Sequence, residues 1–234
     1  MSYTAKESKL FTCNVVEITD DNFKEYKDSL TTYIENYKDS NPSVQKSNAG
    51  GYQSNSSFMQ DENFRPFFEN FFGLFEHAFR NYFERSHICP SPEYRLINAW
   101  INVNSSLDHN YFHCHAGSDV SGVFWVKADK NSGSLVFPNP NQYSQWYTIE
   151  EEHKIFEPEE GKLLLFPASM NHFVTRNLSD TTRISLSFNF KAVWIYENQV
   201  IIEYRWPEVT SATWWGNKVF EGKSTIVPFC RGIL

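Results

Sequence analysis

The chain has 234 residues, of which 41% are hydrophobic, and this suits one large domain with a sizeable core. Its net charge is −7 and it has no block of Lys and Arg. The acidic balance disfavours a dedicated nucleic-acid groove, because neutralising phosphates needs a concentrated basic surface.

Cysteine usage and hydropathy point to a soluble, cytoplasmic protein. The four scattered cysteines, Cys13, Cys89, Cys114 and Cys230, form no CxxC pair, which disfavours a zinc knuckle or a disulfide framework and favours a reducing compartment. The N-terminus lacks the apolar run of a signal peptide, and no stretch approaches the roughly 20 apolar residues that span a bilayer. No membrane association is expected.

Two helices are predicted in the first third of the chain. Apolar residues recur at three- and four-residue intervals from Thr19 to about Tyr37, which is typical of an amphipathic helix. A stronger pattern of Phe and Tyr runs from Phe64 to Phe83, with Pro66 tolerable in the first turn. This aromatic stripe predicts core packing. The segment from Ser40 to Ser57 is rich in Ser, Asn and Gly and predicts a loop.

After residue 90 the pattern switches to a period of two for about a hundred residues. Strands are expected at 96–104, 121–128, 133–137, 161–167 and 183–190. The first and last of these have one polar and one apolar side. Either the polar sides face solvent, or they line a double-stranded barrel or sandwich whose apolar sides pack on the aromatic helices. Histidines on the polar side favour the second arrangement.

A single domain is predicted, with helices and a loop at 1–90 packed on a β core at 91–190. A C-terminal extension, 191–234, contains Trp194, Trp206, Trp214 and Trp215 and a strand predicted at Gln199–Tyr204. An extra β layer, a lid over the barrel mouth and an interface are all open for this extension, and the last would allow a homodimer.

The first informative motif is His113-Cys114-His115. Strand alternation places Tyr111, His113 and His115 on one side and Phe112 and Cys114 on the other. Two imidazoles at this spacing can share one metal ion. Taken alone, the motif is weak, because hydrogen-bonded surface histidines are its more common origin.

A second cluster is expected on a hairpin. A turn signal at Asn177–Asp180 folds the chain so that His172 faces Ser185 and Val174 faces Arg183. A one-residue slip would send Arg183 to the other side. If this face also meets the HxH pair, a metal lies beside a guanidinium that binds carboxylates in a bidentate manner. Such a site suits iron(II) chelated by a keto acid.

At these residues the chain resembles the Fe(II)/2-oxoglutarate-dependent dioxygenases, and more narrowly a bacterial and phage-associated branch of 2-oxoglutarate-Fe(II) oxygenases. The resemblance covers about Asn98 to Asn189. It rests on AWINVN, FHCHAGSDVSGVFWV, GSLVFPNP, GKLLLFPASMNHFV and TRISLSFNF, with SNAGGYQS upstream. It implies a mainly β fold whose double-stranded β-helix, or jelly-roll, core packs on the N-terminal α-helices.

The resemblance also implies a metal centre. His113, His115 and His172 become the iron ligands, and hence catalytic residues. Most of the superfamily has Asp or Glu where this chain has His115, so the site is a three-histidine set unless a carboxylate such as Asp119 or Asp108 completes it.

The implied co-substrate site follows. Arg183 and Ser185 would clamp the C5 carboxylate of 2-oxoglutarate, and Asn102 and Trp125 would line the pocket, with packing as the alternative role of Trp125. Iron(II), 2-oxoglutarate and O2 would support hydroxylation of a substrate C–H bond, with succinate and carbon dioxide as co-products. The substrate is a peptidyl proline, an amino acid, a nucleobase or a small metabolite, and the acidic composition disfavours bulk nucleic acid.

Two other classes of function stay open. One is a cupin-like metal-binding β-sandwich without oxygenase activity, in which the three histidines hold a structural, nickel or zinc ion and Arg183 has no role. The other is a phage structural or interaction protein with surface histidines, which would bind no stoichiometric iron.

Overall fold

The fold is taken from a computed structural model, which describes residues 13–86, 93–140, 152–196 and 199–202. The predictions for Trp206, Trp214, Trp215, Cys89 and Cys230 lie outside these residues. The helices and strands follow in chain order: β1 (Val16–Thr19), α1 (Phe23–Ser40), β2 (Asn48–Ala49), β3 (Tyr52–Gln53), a 3₁₀ turn (Ser56–Gln60), α2 (Arg65–Ser86), β4 (Glu93–Asn104), β5 (His109–His113), β6 (Val120–Lys127), β7 (Leu135–Pro138), β8 (His153–Phe156), β9 (Lys162–Pro167), β10 (His172–Val174), β11 (Arg183–Tyr196) and β12 (Gln199–Ile202). No helix within the described ranges is long and apolar enough to cross a membrane.

The strands form two sheets. The larger has the order β1-β9-β6-β11-β4-β3, with β12 paired to β11, and the smaller has the order β2-β5-β10-β7-β8. Consecutive strands such as β5 and β6, or β10 and β11, fall in different sheets. This crossing between two antiparallel sheets is the pattern of a double-stranded β-helix, so the predicted mainly β fold with flanking helices is confirmed.

The predicted helices are confirmed, and their apolar stripes cover the outer face of the larger sheet. The stripe of α2 centres on Phe71, which is fully buried. Its ring lies 5.0 Å from that of Phe124 on β6 and 5.7 Å from that of Phe188 on β11, measured between centroids. Helix α1 begins at Phe23 and not at Thr19, because Val16–Thr19 pairs with β9 as an edge strand.

Truncation of this aromatic stripe should destabilise the whole fold. We expect Phe71→Ala to lower the free energy of unfolding by about 3–5 kcal/mol, because it removes a buried aromatic ring and leaves a cavity in the apolar core. Urea denaturation measures this loss. The neighbouring Phe72 is 63% exposed on the same helix, so Phe72→Ala is the matched control and should change stability by no more than about 0.5 kcal/mol. Equal losses would mean that α2 does not pack as described.

The loop predicted at 40–57 contains two short strands that the composition did not reveal. Strand β2 pairs with β5 in the smaller sheet, and β3 pairs with β4 in the larger. Between them Gly50 and Gly51 have φ of +75° and +64°, and a Cβ on Gly50 would lie 2.0 Å from Oδ1 of Asp108. The Gly-Gly turn therefore carries the chain from one sheet to the other at a place where no larger residue fits.

The hairpin predicted around Asn177–Asp180 is wrong. Strand β10 pairs with β5 and β7, whereas β11 pairs with β4 and β6 in the other sheet. The Asn177 side chain donates to the backbone carbonyls of Asn104 and Thr181, and the backbone carbonyl of Asn177 accepts from the N–H of Leu107. These bonds tie the segment to the β4–β5 connection, so the chain crosses between sheets here and does not turn back on itself.

The other predicted strands are observed as β4, β6, β7, β9 and β11, and the strand predicted at Gln199–Tyr204 as β12. Strand β12 pairs with the C-terminal end of β11. Of the three roles open for the C-terminal extension, its first strand thus adds to an existing sheet. The proposed division into segments 1–90, 91–190 and 191–234 stays a prediction.

Candidate active site

The inner face of the larger sheet carries polar residues in rows set by strand register. Three rows run from β4 through β11 to β6, namely Asn98–Asn189–Ser121, Trp100–Ser187–Val123 and Asn102–Ser185–Trp125. The fourth row, Asn104–Arg183, ends on β11. Most of these polar side chains are buried. The polar sides of the strands therefore line the interior of the sandwich and do not face solvent.

Three histidines converge opposite these rows. His172 on β10 pairs with His113 on β5, and their ring centroids lie 4.3 Å apart. His115 follows the end of β5, where its backbone N–H donates to the carbonyl of Ala168, and its ring lies 5.0 Å from each of the other two. One ring nitrogen from each histidine lies within 4.8 Å of the others. The three side chains are close enough to hold a single ion.

Simple alternation does not describe β5. The pairs His172–His113 and Val174–Asn110 are two positions apart on β10 but three positions apart on β5. Strand β5 therefore has one additional residue here and forms a bulge. As a result Tyr111 and Phe112 are both 59% exposed, and Asn110 lines the pocket together with His113. The prediction that Tyr111 shares the face of His113 is therefore wrong.

The histidine rings are held as neutral bases. Burial lowers the pKa of His115 to about 3, assisted by the neighbouring His172 and His113, and lowers the pKa of His172 to about 4. Burial also lowers the pKa of His113. All three imidazoles are uncharged at pH 7, which is the state that ligates a metal.

Neither candidate carboxylate joins the cluster. Asp119 accepts hydrogen bonds from Nζ of Lys191 and the N–H of Ala192, and Asp108 accepts from the N–H of Ser105. Within the described residues, the group that could hold a metal consists of the three histidines alone. The alternative in which Asp119 or Asp108 supplies a ligand is not supported by this geometry.

Arg183 lies buried on the same inner face, only 2% exposed. Its Nη1 donates to the carbonyls of Ser132 and Gly133, at 2.7 and 3.1 Å. Burial lowers its pKa to about 10, against the opposing effect of Asp108, so the guanidinium stays cationic at pH 7. Among the described residues Nε and Nη2 have no hydrogen-bond partner, and they are available to a carboxylate.

Gly133 allows this guanidinium to sit where it does. Its φ is +96°, and a Cβ would lie 2.4 Å from the carbonyl oxygen of Thr175 and 2.5 Å from Nη1 of Arg183. We expect Gly133→Ala to lower stability by about 1–3 kcal/mol and to weaken binding of any ligand held by Arg183. Thermal unfolding and ligand titration measure the two effects.

Gly117→Ala is the matched control for Gly133→Ala. Gly117 has a similar φ of +88°, but its added Cβ would meet nothing within 4 Å. It therefore reports the backbone cost alone and should leave ligand affinity unchanged. A Gly133→Ala variant that behaves like Gly117→Ala would show that the contact with Arg183 is unimportant.

One pocket of about 50 Å³ joins the histidines to Arg183 and is lined by both sheets. The predicted Asn102, Trp125 and Ser185 all line it. Strand β11 lies between β4 and β6, so Ser185 stands between Asn102 and Trp125 in one row. Trp125 also packs with Leu135, Phe137, Leu164 and Phe166, so it both lines the pocket and forms core.

Several residues that line the pocket were not predicted from the sequence. They are polar or aromatic residues brought in by the β5 bulge, the Gly-Gly turn and the mid-sheet row: Ser47, Asn110, Trp100 and Ser187. Only Trp100 had a signal, since it is an aromatic residue on a strand face otherwise made of Asn.

Residues 98–189 match the protein family described as "Putative 2OG-Fe(II) oxygenase". Over these residues the chain is similar to the 2OG-Fe(II) oxygenases. The match spans every row of the inner face as well as the three histidines and Arg183. No curated protein matches the chain.

Solved structures of this superfamily share the fold. The carbocyclase SnoK from nogalamycin biosynthesis is 10% identical, with a TM-score of 0.54 over 77% of this chain and 81% of that chain. A prolyl-4-hydroxylase from Pseudomonas putida is 13% identical, with a TM-score of 0.53 over 77% and 93%. HygX from Streptomyces hygroscopicus, solved with nickel and 2-oxoglutarate, is 10% identical, with a TM-score of 0.52 over 77% and 83%. At these identities the likeness speaks for the double-stranded β-helix alone.

Proposed function

We propose that this chain is a 2OG-Fe(II) oxygenase that binds iron through His113, His115 and His172 and holds 2-oxoglutarate through Arg183 and Ser185. The main support for the proposal is the guanidinium of Arg183, whose Nε and Nη2 have no hydrogen-bond partner among the described residues. Arg183 and the three histidines line the same pocket. A buried guanidinium costs several kcal/mol of solvation and is stabilised by a paired counter-charge. Asp108 acts on Arg183 electrostatically, but within the described ranges the hydrogen bonds of the guanidinium go to carbonyls and not to a carboxylate. A carboxylate of the co-substrate supplies that charge.

The donor set fits iron(II). Three neutral imidazoles on one side of an ion would leave the remaining positions open, as the facial set of two histidines and one carboxylate does in non-haem iron sites. A bound iron would supply the site for the keto acid and O2, and replacement of the usual carboxylate by His115 leaves it one positive charge higher.

The chain's own residues would orient the reactants. The guanidinium of Arg183, fixed by the carbonyls of Ser132 and Gly133, receives the far carboxylate in a charge-assisted contact, with the Ser185 hydroxyl in the next row. Trp125, Leu135 and Phe166 exclude water from the middle of the pocket. Asn102 is held by a 3.1 Å bond from its Nδ2 to Ser187 Oγ and borders the same space. A non-catalytic cupin-like protein would leave Nε and Nη2 of the buried Arg183 without a hydrogen-bond partner in the part of the chain that the structure describes.

An anaerobic titration tests this assignment. Addition of 2-oxoglutarate to the Fe(II)-loaded protein should produce a visible metal-to-ligand charge-transfer band with one-to-one stoichiometry. Succinate is the matched control, because it has both carboxylates but no keto group to chelate iron, and it should give no band. Absence of the band together with absence of stoichiometric iron would refute the proposal.

We further infer a substrate that is a peptidyl residue or a small molecule and not bulk nucleic acid, since the chain has a net charge of −7. A cytoplasmic location is consistent with Cys13 and Cys114, which are both free thiols. A sedimentation measurement on the full chain tests whether it forms a homodimer.

A further inference from the structure

Two of the three clustered histidines have an orienting hydrogen bond and the third has none. The Nδ1 of His113 lies 2.6 Å from the carbonyl oxygen of Tyr111, and the Nδ1 of His172 lies 2.9 Å from that of Met170. A carbonyl only accepts, so each Nδ1 carries the proton and each Nε2 is left with its lone pair for a metal. The ring of His115 has no hydrogen-bond partner among the described residues.

His115 also lacks the support of a strand. Strand β5 ends at His113, and the backbone of His115 is held by two bonds outside the strand ladder: its N–H donates to the carbonyl of Ala168, and its carbonyl accepts from the N–H of Ser118. These bonds fix the backbone of His115 but leave its two side-chain torsions and its tautomer free.

The indole of Trp100 packs against the imidazole of His115. Its ring centroid lies 5.4 Å from that of His115, at an interplanar angle of 47°. Within the described part of the chain, the other rings against His115 are those of His113 and His172, which belong to the cluster itself. Trp100 is half-buried in the middle of the larger sheet, where β4 pairs with β11 opposite Ser187. The sheet therefore gives the indole a fixed position.

We propose that Trp100 is a positioning residue for His115, and that packing of its ring fixes the orientation of that imidazole, as a hydrogen bond to a backbone carbonyl does for each of the other two histidines. The inference rests on the proposed metal site. Loss of an outer partner of a metal-bound histidine typically weakens metal affinity by about 10–100-fold. Trp100 should have an effect of this order although it offers no ligand atom.

Co(II) titration of the metal-free protein tests this without any measurement of turnover. We expect Trp100→Leu to weaken Co(II) binding about 10-fold and to move the visible Co(II) spectrum toward that of His115→Ala. Trp100→Phe keeps a ring against His115 and should restore most of the affinity and the wild-type spectrum. If Trp100→Leu does not fold, Trp100→Met removes the ring while keeping a long apolar side chain.

A double variant separates positioning from a general packing effect. If Trp100 acts through His115, then Trp100→Leu combined with His115→Ala binds Co(II) no more weakly than His115→Ala alone. Phe137→Leu is the matched control, because it removes a ring that lies outside the pocket lining and 5.6 Å from that of His172, which keeps its bond to Met170. It should leave the Co(II) affinity close to that of the wild type.

Three results would overturn the proposal: unchanged affinity and spectrum in Trp100→Leu, additive losses in the double variant, or an equal loss in Phe137→Leu. The wild-type titration tests the metal site independently. Failure of the wild type to bind one Co(II) would remove both the metal site and this inference, whereas tight wild-type binding with an indifferent Trp100→Leu removes the inference alone.

Discussion

Replacement of Arg183 by Gln is expected to weaken 2-oxoglutarate binding by at least about 100-fold while leaving one metal ion bound. The variant removes a desolvated charge that would pair with the far carboxylate, and such losses cost about 2–5 kcal/mol. Arg183→Lys keeps the charge but not the planar fork, so it should fall between the two. The measurement is the 2-oxoglutarate dependence of the charge-transfer band under anaerobic conditions.

Arg176→Gln is the matched control for this experiment. Arg176 is exposed on the connection that leads into β11, seven residues before Arg183. Its replacement by Gln changes the net charge of the protein by the same amount as Arg183→Gln. Its substitution should leave the affinity unchanged. If both variants bind 2-oxoglutarate like the wild type, the pocket does not hold the co-substrate through Arg183.

The second large effect is expected at the metal. His172→Ala should abolish stoichiometric binding of Fe(II) or Co(II), because it removes the most buried of the three imidazoles, the one that bridges the two sides of the cluster. Metal content after dialysis, measured by mass spectrometry, checks the loss. The charge-transfer band with 2-oxoglutarate should disappear in parallel.

His153→Ala controls for nonspecific loss of an imidazole. His153 is exposed at the start of β8 and is not part of the cluster. It should bind one metal ion as the wild type does. A His172→Ala protein that retained a full equivalent of metal at wild-type affinity would place the ion elsewhere.

The hairpin shows how a correct set of residues can follow from an incorrect local structure. The sequence suggested that His172, Arg183 and Ser185 share a face because they lie on two arms of one turn. In the structure His172 comes from the smaller sheet and the other two from the larger, and they meet across the interior. Alternation along each strand is local and is unaffected by this error, whereas strand pairing depends on partners far away in the chain, such as His113 for His172, 59 residues earlier.

The position of His115 was harder to predict. Its proximity to His113 followed from spacing, but the end of β5 at His113 and the bulge that turns both Tyr111 and Phe112 outward are properties of the pairing with β10. That Asp108 and Asp119 lie outside the histidine cluster likewise depends on which hydrogen bonds those carboxylates make in the folded chain.

By itself the sequence determined the helices, the period-two half of the chain, and the residue types of the site, because periodicity and side-chain chemistry are encoded within a few neighbouring positions. Only the tertiary structure decided that β10 and β11 belong to opposite sheets, that Gly133 makes room for Arg183, and that Trp100 lies against His115. These are contacts between distant segments, and they are selected by the packing of the whole sandwich and not by any local pattern.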